Sequence, residues 1–195
     1  MAEPALKHMT VDEFFAWQER QDMNYELRHG VPVPTIKAMT GATRRHDRVT
    51  TAVLASLAPQ LRGTPCEPLT ADQSVRTLYG TRRPDIIVNC GEPETDRTLE
   101  AETPRVVIEV LSPSTIRADR FEKLYEYQHH PKIEVILLVE VERPSVAVWR
   151  REGDAWRVDY ANGIDAVVDL PEIGASLRLA DIYERLTFEE TPGAV

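Results

Sequence analysis

The segment Val106-Val107-Ile108-Glu109-Val110-Leu111 decides the fold, because it is a β-branched and aliphatic run with one carboxylate inside it. Such runs are typical of central strands that are covered on both faces of a sheet. An ionised carboxylate is costly in such a strand unless a cation or several hydrogen-bond donors hold it. Glu109 is therefore the first candidate for a functional residue.

A second run, Pro84-Asp85-Ile86-Ile87-Val88, comes shortly before the first and also begins with a carboxylate. Strands that follow one another in sequence commonly pair, so Asp85 and Glu109 are predicted to meet at one edge of the sheet. Two carboxylates there would suit Mg²⁺, which binds few carboxylates and keeps several waters. Two structural alternatives stay open: Glu109 in a buried ion pair with arginine or lysine, and Asp85 as a turn residue.

The elements around these two strands predict an α/β fold. Thr10-Val11-Asp12-Glu13 has the form of a capping box and predicts a helix over 11–22, and apolar spacing predicts a second helix over 44–61. Ser112-Pro113-Ser114-Thr115 provides cap chemistry for a third helix over about 115–129. The remaining predictions are a hairpin at 25–33 with its second strand at an edge, extended pieces at 66–76, an antiparallel meander at 134–141, 146–150 and 156–160, and a short strand or turn with a helix at 177–186.

The bulk composition places limits on the kind of protein. With 195 residues and 42% hydrophobic content, the chain can build one sizeable core but not two, so residues 1–195 are expected to form a single domain. The longest aliphatic run, Val135 to Val139, is far shorter than a membrane span, and the N-terminus lacks a signal pattern, which predicts a cytoplasmic protein with no membrane contact. Cys66 and Cys90 lack the close paired spacing of zinc sites or disulfide scaffolds, so reduced thiols are expected.

The formal net charge of −9 argues against a protein that coats nucleic acid through long-range attraction. Basic residues nevertheless gather in three groups, and these could form a local positive face or be ordinary solvated charges. The groups are Arg44, Arg45 and Arg48; Arg82 and Arg83; and Arg117, Arg120 and Lys123.

The chain resembles the Uma family of bacterial restriction endonucleases, which belongs to the PD-(D/E)XK nuclease superfamily. The similarity covers about residues 10–186 and is most specific in Glu109-Val110-Leu111-Ser112-Pro113-Ser114-Thr115. The other matching positions are Tyr25-Glu26-Leu27 with Gly30, His46, Pro84-Asp85, Asp119, Lys123, Val139-Glu140, Arg143-Pro144-Ser145-Val146, Leu170-Pro171-Glu172-Ile173-Gly174 and Leu179-Ala180-Asp181-Ile182-Tyr183. The resemblance implies a restriction-endonuclease-like core, with a mixed central sheet flanked by helices, an added N-terminal helix and hairpin, and C-terminal antiparallel strands.

Carried over residue by residue, the resemblance implies that Asp85, Glu109 and the main-chain carbonyl of Val110 bind the metal. The superfamily lysine normally stands two residues after the second acid, and that position here is Leu111. Similar families move the lysine to the following helix, which makes Lys123 the third catalytic candidate. Its structural alternative is an exposed pair with Asp119, worth only ~0.3 to 0.5 kcal/mol.

Four further residues are interpreted as substrate-binding or supporting: Glu26, His46, Arg83 and Asp119. Glu26 could be an outer metal ligand or a solvent-facing hairpin residue, and His46 could touch a phosphate or lie on the surface.

The function implied is a Mg²⁺-dependent endonuclease, with Mn²⁺ as a substitute, that acts as a homodimer on nucleic acid, with double-stranded DNA as the expected substrate. The products would carry 5′-phosphate and 3′-hydroxyl ends. The alternative is a lapsed nuclease fold that serves as a homodimeric binding or assembly module, favoured by Leu111 and by the negative charge. A serine hydrolase is disfavoured because no Gly-x-Ser-x-Gly elbow occurs.

Overall fold

A computed structural model describes residues 8–35, 42–91, 95, 97–111 and 118–188, with residues 118–120 described by their backbone alone. The helices are α1 (Val11–Gln18), α2 (Arg44–Gln60), α3 (Ala118–Gln128) and α4 (Leu179–Ile182). The strands are β1 (Tyr25–Arg28), β2 (Val31–Pro34), β3 (Cys66–Thr70), β4 (Val75–Thr77), β5 (Gly80–Arg82), β6 (Ile86–Cys90), β7 (Pro104–Leu111), β8 (Val135–Glu140), β9 (Ser145–Glu152), β10 (Ala155–Asn162), β11 (Val167–Leu170) and β12 (Ala175–Arg178).

The central sheet has six strands in the order β10-β9-β8-β7-β6-β3. Strands β7 and β8 run parallel, because helix α3 returns the chain between them, and the other neighbours are antiparallel. A smaller sheet has the order β2-β1-β5-β4, with the hairpin strand β2 at its edge, and β11 pairs with β12. The predicted mixed α/β architecture is therefore confirmed.

Side-chain alternation along β7 decides which face of the sheet carries the functional carboxylate. Val106, Ile108 and Val110 join the core cluster that packs under α2 and α4, whereas Val107 and Leu111 join the opposite cluster. Because successive side chains of a strand point to opposite faces, Glu109 lies on the second face. That face also holds the buried ring of Tyr127 from α3.

Local sequence signals explain the N-terminal helix. The Thr10 hydroxyl accepts a hydrogen bond from the Glu13 amide, and the Glu13 carboxylate accepts one from the Thr10 amide, which is the predicted capping box. The helix ends at Gln18 instead of residue 22 because the Gln18 side chain bonds the next segment, through the Met23 carbonyl and the Tyr25 amide.

The two cysteines correct one expectation from the sequence. Cys66 and Cys90 are cross-strand partners in the β3–β6 pair, with their Cα atoms 4.0 Å apart, and their sulfur atoms form a disulfide. The expectation of reduced thiols was wrong because 24 residues separate the cysteines in sequence, and only the strand register brings them together. The bond joins an edge strand to its only described neighbour in the sheet.

Among the described residues, the helices fall short of the length and apolar character that a bilayer span would need.

The corner after α3 leads to a prediction of acid sensitivity. The His130 ring Nδ1 accepts a hydrogen bond from the Lys132 amide at 3.2 Å, a role that needs the neutral ring. Burial, together with the charges of Lys132 and Arg151, lowers the pKa of His130 to about 4, and the charge of Glu100 only partly opposes this. Between the ordinary value near 6.5 and about 4, the unfolded chain therefore binds more protons than the folded chain, so stability falls as pH falls through this window.

We expect the urea midpoint of the wild type to drop more between pH 7 and pH 4 than that of His130→Asn, whose side-chain oxygen can still accept the amide. Equal drops for the two proteins would contradict this assignment.

Candidate active site

Asp85 lies where β6 meets β7, at the start of the second predicted strand. The register pairs Ile86 with Ile108, so the residue before Ile86 comes level with Glu109. The Asp85 side chain is buried, and its Oδ2 accepts a hydrogen bond from the Val110 amide at 2.6 Å. Antiparallel pairing thus places Asp85, one residue before β6, beside Glu109 of the neighbouring strand β7, as the sequence predicts.

Glu109 has only 14% of its side chain exposed and is held by two groups of α3. Its Oε1 accepts a hydrogen bond from the Tyr127 hydroxyl at 2.7 Å and one from Lys123 Nζ at 3.2 Å. Burial raises the pKa of Glu109 to about 7, with the charge of Lys123 acting downward and the charge of Asp85 acting upward. The carboxylate is therefore short of positive charge even with its lysine in place.

Lys123 bridges two carboxylates from different sheets. Its Nζ lies 3.2 Å from Glu109 Oε1 on β7 and 3.3 Å from Glu26 Oε1 on β1, and 15% of the side chain is exposed. Leu111, where the resemblance would place the superfamily lysine, is 8% exposed and packs in the core. Lys123 of α3 is therefore the lysine that contacts Glu109.

Glu26 is a buried anion surrounded by donors. Its pKa falls to about 2 because the charges of Lys123, Arg28 and Arg82 and the Arg83 amide together outweigh the burial that would raise it. Both oxygens already accept hydrogen bonds, one from the Arg83 amide and one from the Arg28 guanidinium. Glu26 is thus placed to hold Lys123 in position.

A buried arginine, Arg82, extends this network away from Glu109. Its side chain is fully buried, its Nε donates to Glu126 Oε1 at 3.0 Å, and its guanidinium lies 3.4 Å from Glu26 and 3.1 Å from Glu122. Glu126, 1% exposed, also accepts a hydrogen bond from the Thr77 hydroxyl. The network ties α3 to the smaller sheet and so fixes where Lys123 stands.

His46 is buried, so the surface alternative for this residue is wrong. Its ring Nε2 lies 3.2 Å from Asp85 Oδ2, and its backbone amide is capped by the Thr43 hydroxyl at the start of α2. The imidazole is therefore placed to orient the Asp85 carboxylate.

Of the other two supporting candidates, Arg83 directs its guanidinium away from this place. The Arg83 guanidinium donates to the backbone carbonyls of Tyr25, Ala71 and Asp72, and burial lowers its pKa. It braces the smaller sheet. The Asp119 side chain lies outside the described residues, as do Arg117, the Arg120 side chain and the cap residues 112–115. Because Arg82 and Arg83 are both buried, their group offers no positive surface.

The donors present fit a hard divalent cation. Two carboxylates and neighbouring backbone oxygens match what Mg²⁺ prefers, and the raised pKa of Glu109 indicates a charge that a cation would compensate. Within the described part of the chain, no three or more His, Cys, Asp and Glu side chains are grouped to enclose a metal ion. A bound ion would therefore depend on two carboxylates, a backbone carbonyl and water, a set that suits Mg²⁺ better than zinc.

Sequence reasoning missed two contributors here. Tyr127 was not among the candidates from the sequence, although its spacing of four from Lys123 puts both on one helix face and could have revealed its role. Arg82 was interpreted only as part of a basic group, and nothing in its local sequence marks it as buried.

Comparison with known proteins gives the family. Residues 11–180 match the family Uma2, described as "Putative restriction endonuclease". The chain belongs to this family.

One curated protein and one solved structure are similar to this Uma2 family member over most of its length. An uncharacterized protein of Synechocystis sp. is 28% identical over 184 residues, which cover 92% of this chain and 94% of that protein. A crystal structure from Anabaena variabilis, titled a putative nuclease belonging to DUF820, superposes with a TM-score of 0.71 at 16% identity, covering 90% of this chain and 98% of that one. The latter likeness shows the fold, and family and fold together support a nuclease.

Proposed function

We propose that this chain is a divalent-metal-dependent endonuclease that hydrolyses double-stranded DNA as a homodimer, leaving 5′-phosphate and 3′-hydroxyl ends. The observation that carries the proposal is the meeting of Asp85, Glu109 and Lys123 at the end of β7. Asp85 Oδ2 bonds the amide of Val110, next to Glu109, while Lys123 Nζ lies 3.2 Å from Glu109 Oε1. Two carboxylates can hold a metal ion that assists phosphodiester hydrolysis, and an amine can offset the charge that develops on the phosphate.

In this proposal Asp85, Glu109 and the Val110 carbonyl hold Mg²⁺ or Mn²⁺. When bound, the ion would supply Lewis acidity toward the scissile phosphate and a water of lowered pKa. Lys123, held between Glu26 and Glu109, orients the attacking water and offsets negative charge that develops on the phosphate. Tyr127 holds the Glu109 carboxylate through one oxygen, and burial keeps its own hydroxyl protonated by raising its pKa.

The test is cleavage of plasmid DNA by the purified protein. Mg²⁺ or Mn²⁺ should convert supercoiled plasmid to nicked and linear forms, and EDTA should stop the conversion. Kinase labelling of the product ends should require prior phosphatase treatment, because the 5′ ends carry phosphate. Cleavage that continues in EDTA would contradict the proposed metal dependence. Labelling of the ends without phosphatase treatment would contradict the proposed 5′-phosphate ends.

A second candidate, a lapsed nuclease acting as a binding or assembly module, is favoured by Leu111 and by the lack of a three-side-chain metal group among the described residues. Calorimetry with Mg²⁺ and Mn²⁺ separates the two. Absence of binding at millimolar ion, together with intact plasmid, would favour the module.

A further inference from the structure

We propose that β10 is a dimerisation edge, at which two copies of this chain pair their β10 strands antiparallel about Val158. The inference rests on the proposed function only for its use of a dimer. The experiment below measures assembly instead of cleavage, so the two proposals can fail separately.

The first step is that β10 offers free backbone groups. It is eight residues long, it lies at the edge of the six-stranded sheet, and among the described residues only β9 pairs with it. In an antiparallel pair, alternate residues direct their N–H and C=O groups toward the neighbour and the others direct them away. The Arg151 amide donates to the Glu134 carbonyl, away from β10, so its partner Trp156 belongs to the outward set, with Val158 and Tyr160.

The second step is that the outward set is self-complementary. A twofold axis at Val158 places Trp156 opposite the partner's Tyr160, and Val158 opposite the partner's Val158. Aromatic and β-branched pairs of this kind stabilise adjacent strands. Trp156 and Val158 lie on the α3 face and are partly buried, whereas Tyr160 is 64% exposed and would be covered by the pairing.

Opposite charges would also pair across the proposed interface. On the other face, the same register places Arg157 opposite the partner's Asp159, and Asp159 opposite the partner's Arg157. Both side chains are 54% exposed, and within one chain Arg157 contacts Asp159 and Glu152 at 3.2 Å. Shifting the register by two residues would remove both opposite-charge pairs, so the charges specify one alignment.

The partner is therefore a second copy of this chain. An isologous twofold contact closes on itself, which limits the open-ended growth that a long exposed edge strand would otherwise invite.

The first test is light scattering of the purified full chain after size exclusion. We expect a mass twice 22.1 kDa that falls toward 22.1 kDa on dilution. Val158→Pro removes the outward N–H without removing a hydrogen bond to β9, and should give a monomer. Val158→Thr keeps the N–H and should remain a dimer.

The second test uses charge and does not depend on the proline variant folding. Asp159→Arg places arginine opposite arginine twice and should weaken the dimer about tenfold or more. Adding Arg157→Asp to that variant restores opposite charges and should restore the dimer. A monomeric wild type at high concentration would overturn the proposal. A dimer that persists unchanged in Asp159→Arg, or in a folded Val158→Pro, would likewise overturn it.

Discussion

Changing Glu109 to glutamine should lower the rate of DNA cleavage by at least about 100-fold. Loss of a residue that only supports a metal ligand typically costs about 10- to 100-fold, and Glu109 is proposed to bind the metal directly. Glutamine keeps the shape and can still accept from the Tyr127 hydroxyl and Lys123. It removes the negative charge that would bind the cation. Initial rates on plasmid DNA at saturating Mg²⁺, together with the calorimetric affinity for Mg²⁺, measure the change.

The free energy of unfolding of Glu109→Gln should change little, in contrast to the large loss of cleavage. Burial already raises the pKa of Glu109 to about 7, so the folded protein gains little from the charged form at neutral pH. Glu134→Gln is the matched control, because that glutamate forms a surface pair with Arg105 at the opposite end of the sheet. Wild-type cleavage by Glu109→Gln, or an equal loss in Glu134→Gln, would refute the role of Glu109.

Changing Arg82 to methionine should lower the free energy of unfolding by about 3–5 kcal/mol, the usual result of removing one partner from a buried ion pair. The side chain is fully buried, and it faces Glu126 and Glu26, which are 1% and 3% exposed. Among its described contacts, Glu126 would keep only the Thr77 hydroxyl. Urea denaturation at neutral pH measures the loss.

Arg76→Met provides the matched control on the neighbouring strand. Arg76 pairs with Asp12 and Glu100 but is 44% exposed, so its loss should lower the free energy of unfolding by less than about 1 kcal/mol. Adding Glu126→Gln to Arg82→Met should recover part of the stability, since no unpaired charge is then buried. If Arg82→Met and Arg76→Met lower the free energy of unfolding by the same small amount, Arg82 does not have the proposed stabilising role.

Local pattern and long-range pairing differ in how far they could be predicted. The apolar runs around Asp85 and Glu109 predict two central strands, and pairing of sequential strands brings the acids together without further information. Lys123 could be selected over an exposed helix lysine only through the family resemblance, because spacing alone favoured the pair with Asp119.

The contacts that could not be predicted all join segments far apart in sequence. The Cys66–Cys90 bond depends on the β3–β6 register, and the Arg82–Glu126 pair spans 44 residues between β5 and α3. No local pattern distinguishes the two cysteines from free thiols, or Arg82 and Glu126 from surface residues. Burial of a charged side chain is decided by the packing of whole elements, which short-range periodicity does not encode.

The amine and the acids of the site belong to separate elements. Asp85 directly precedes β6 and Glu109 lies on the adjoining strand β7, whereas Lys123 lies on α3 and is held by Glu26 of the hairpin. On the proposed function, a chain whose sheet has formed but whose helix α3 has not yet packed could bind a metal ion. It would still lack the lysine ammonium that orients the attacking water. Partly folded molecules would then be unable to nick DNA, because the amine and the acids come together only in the complete fold.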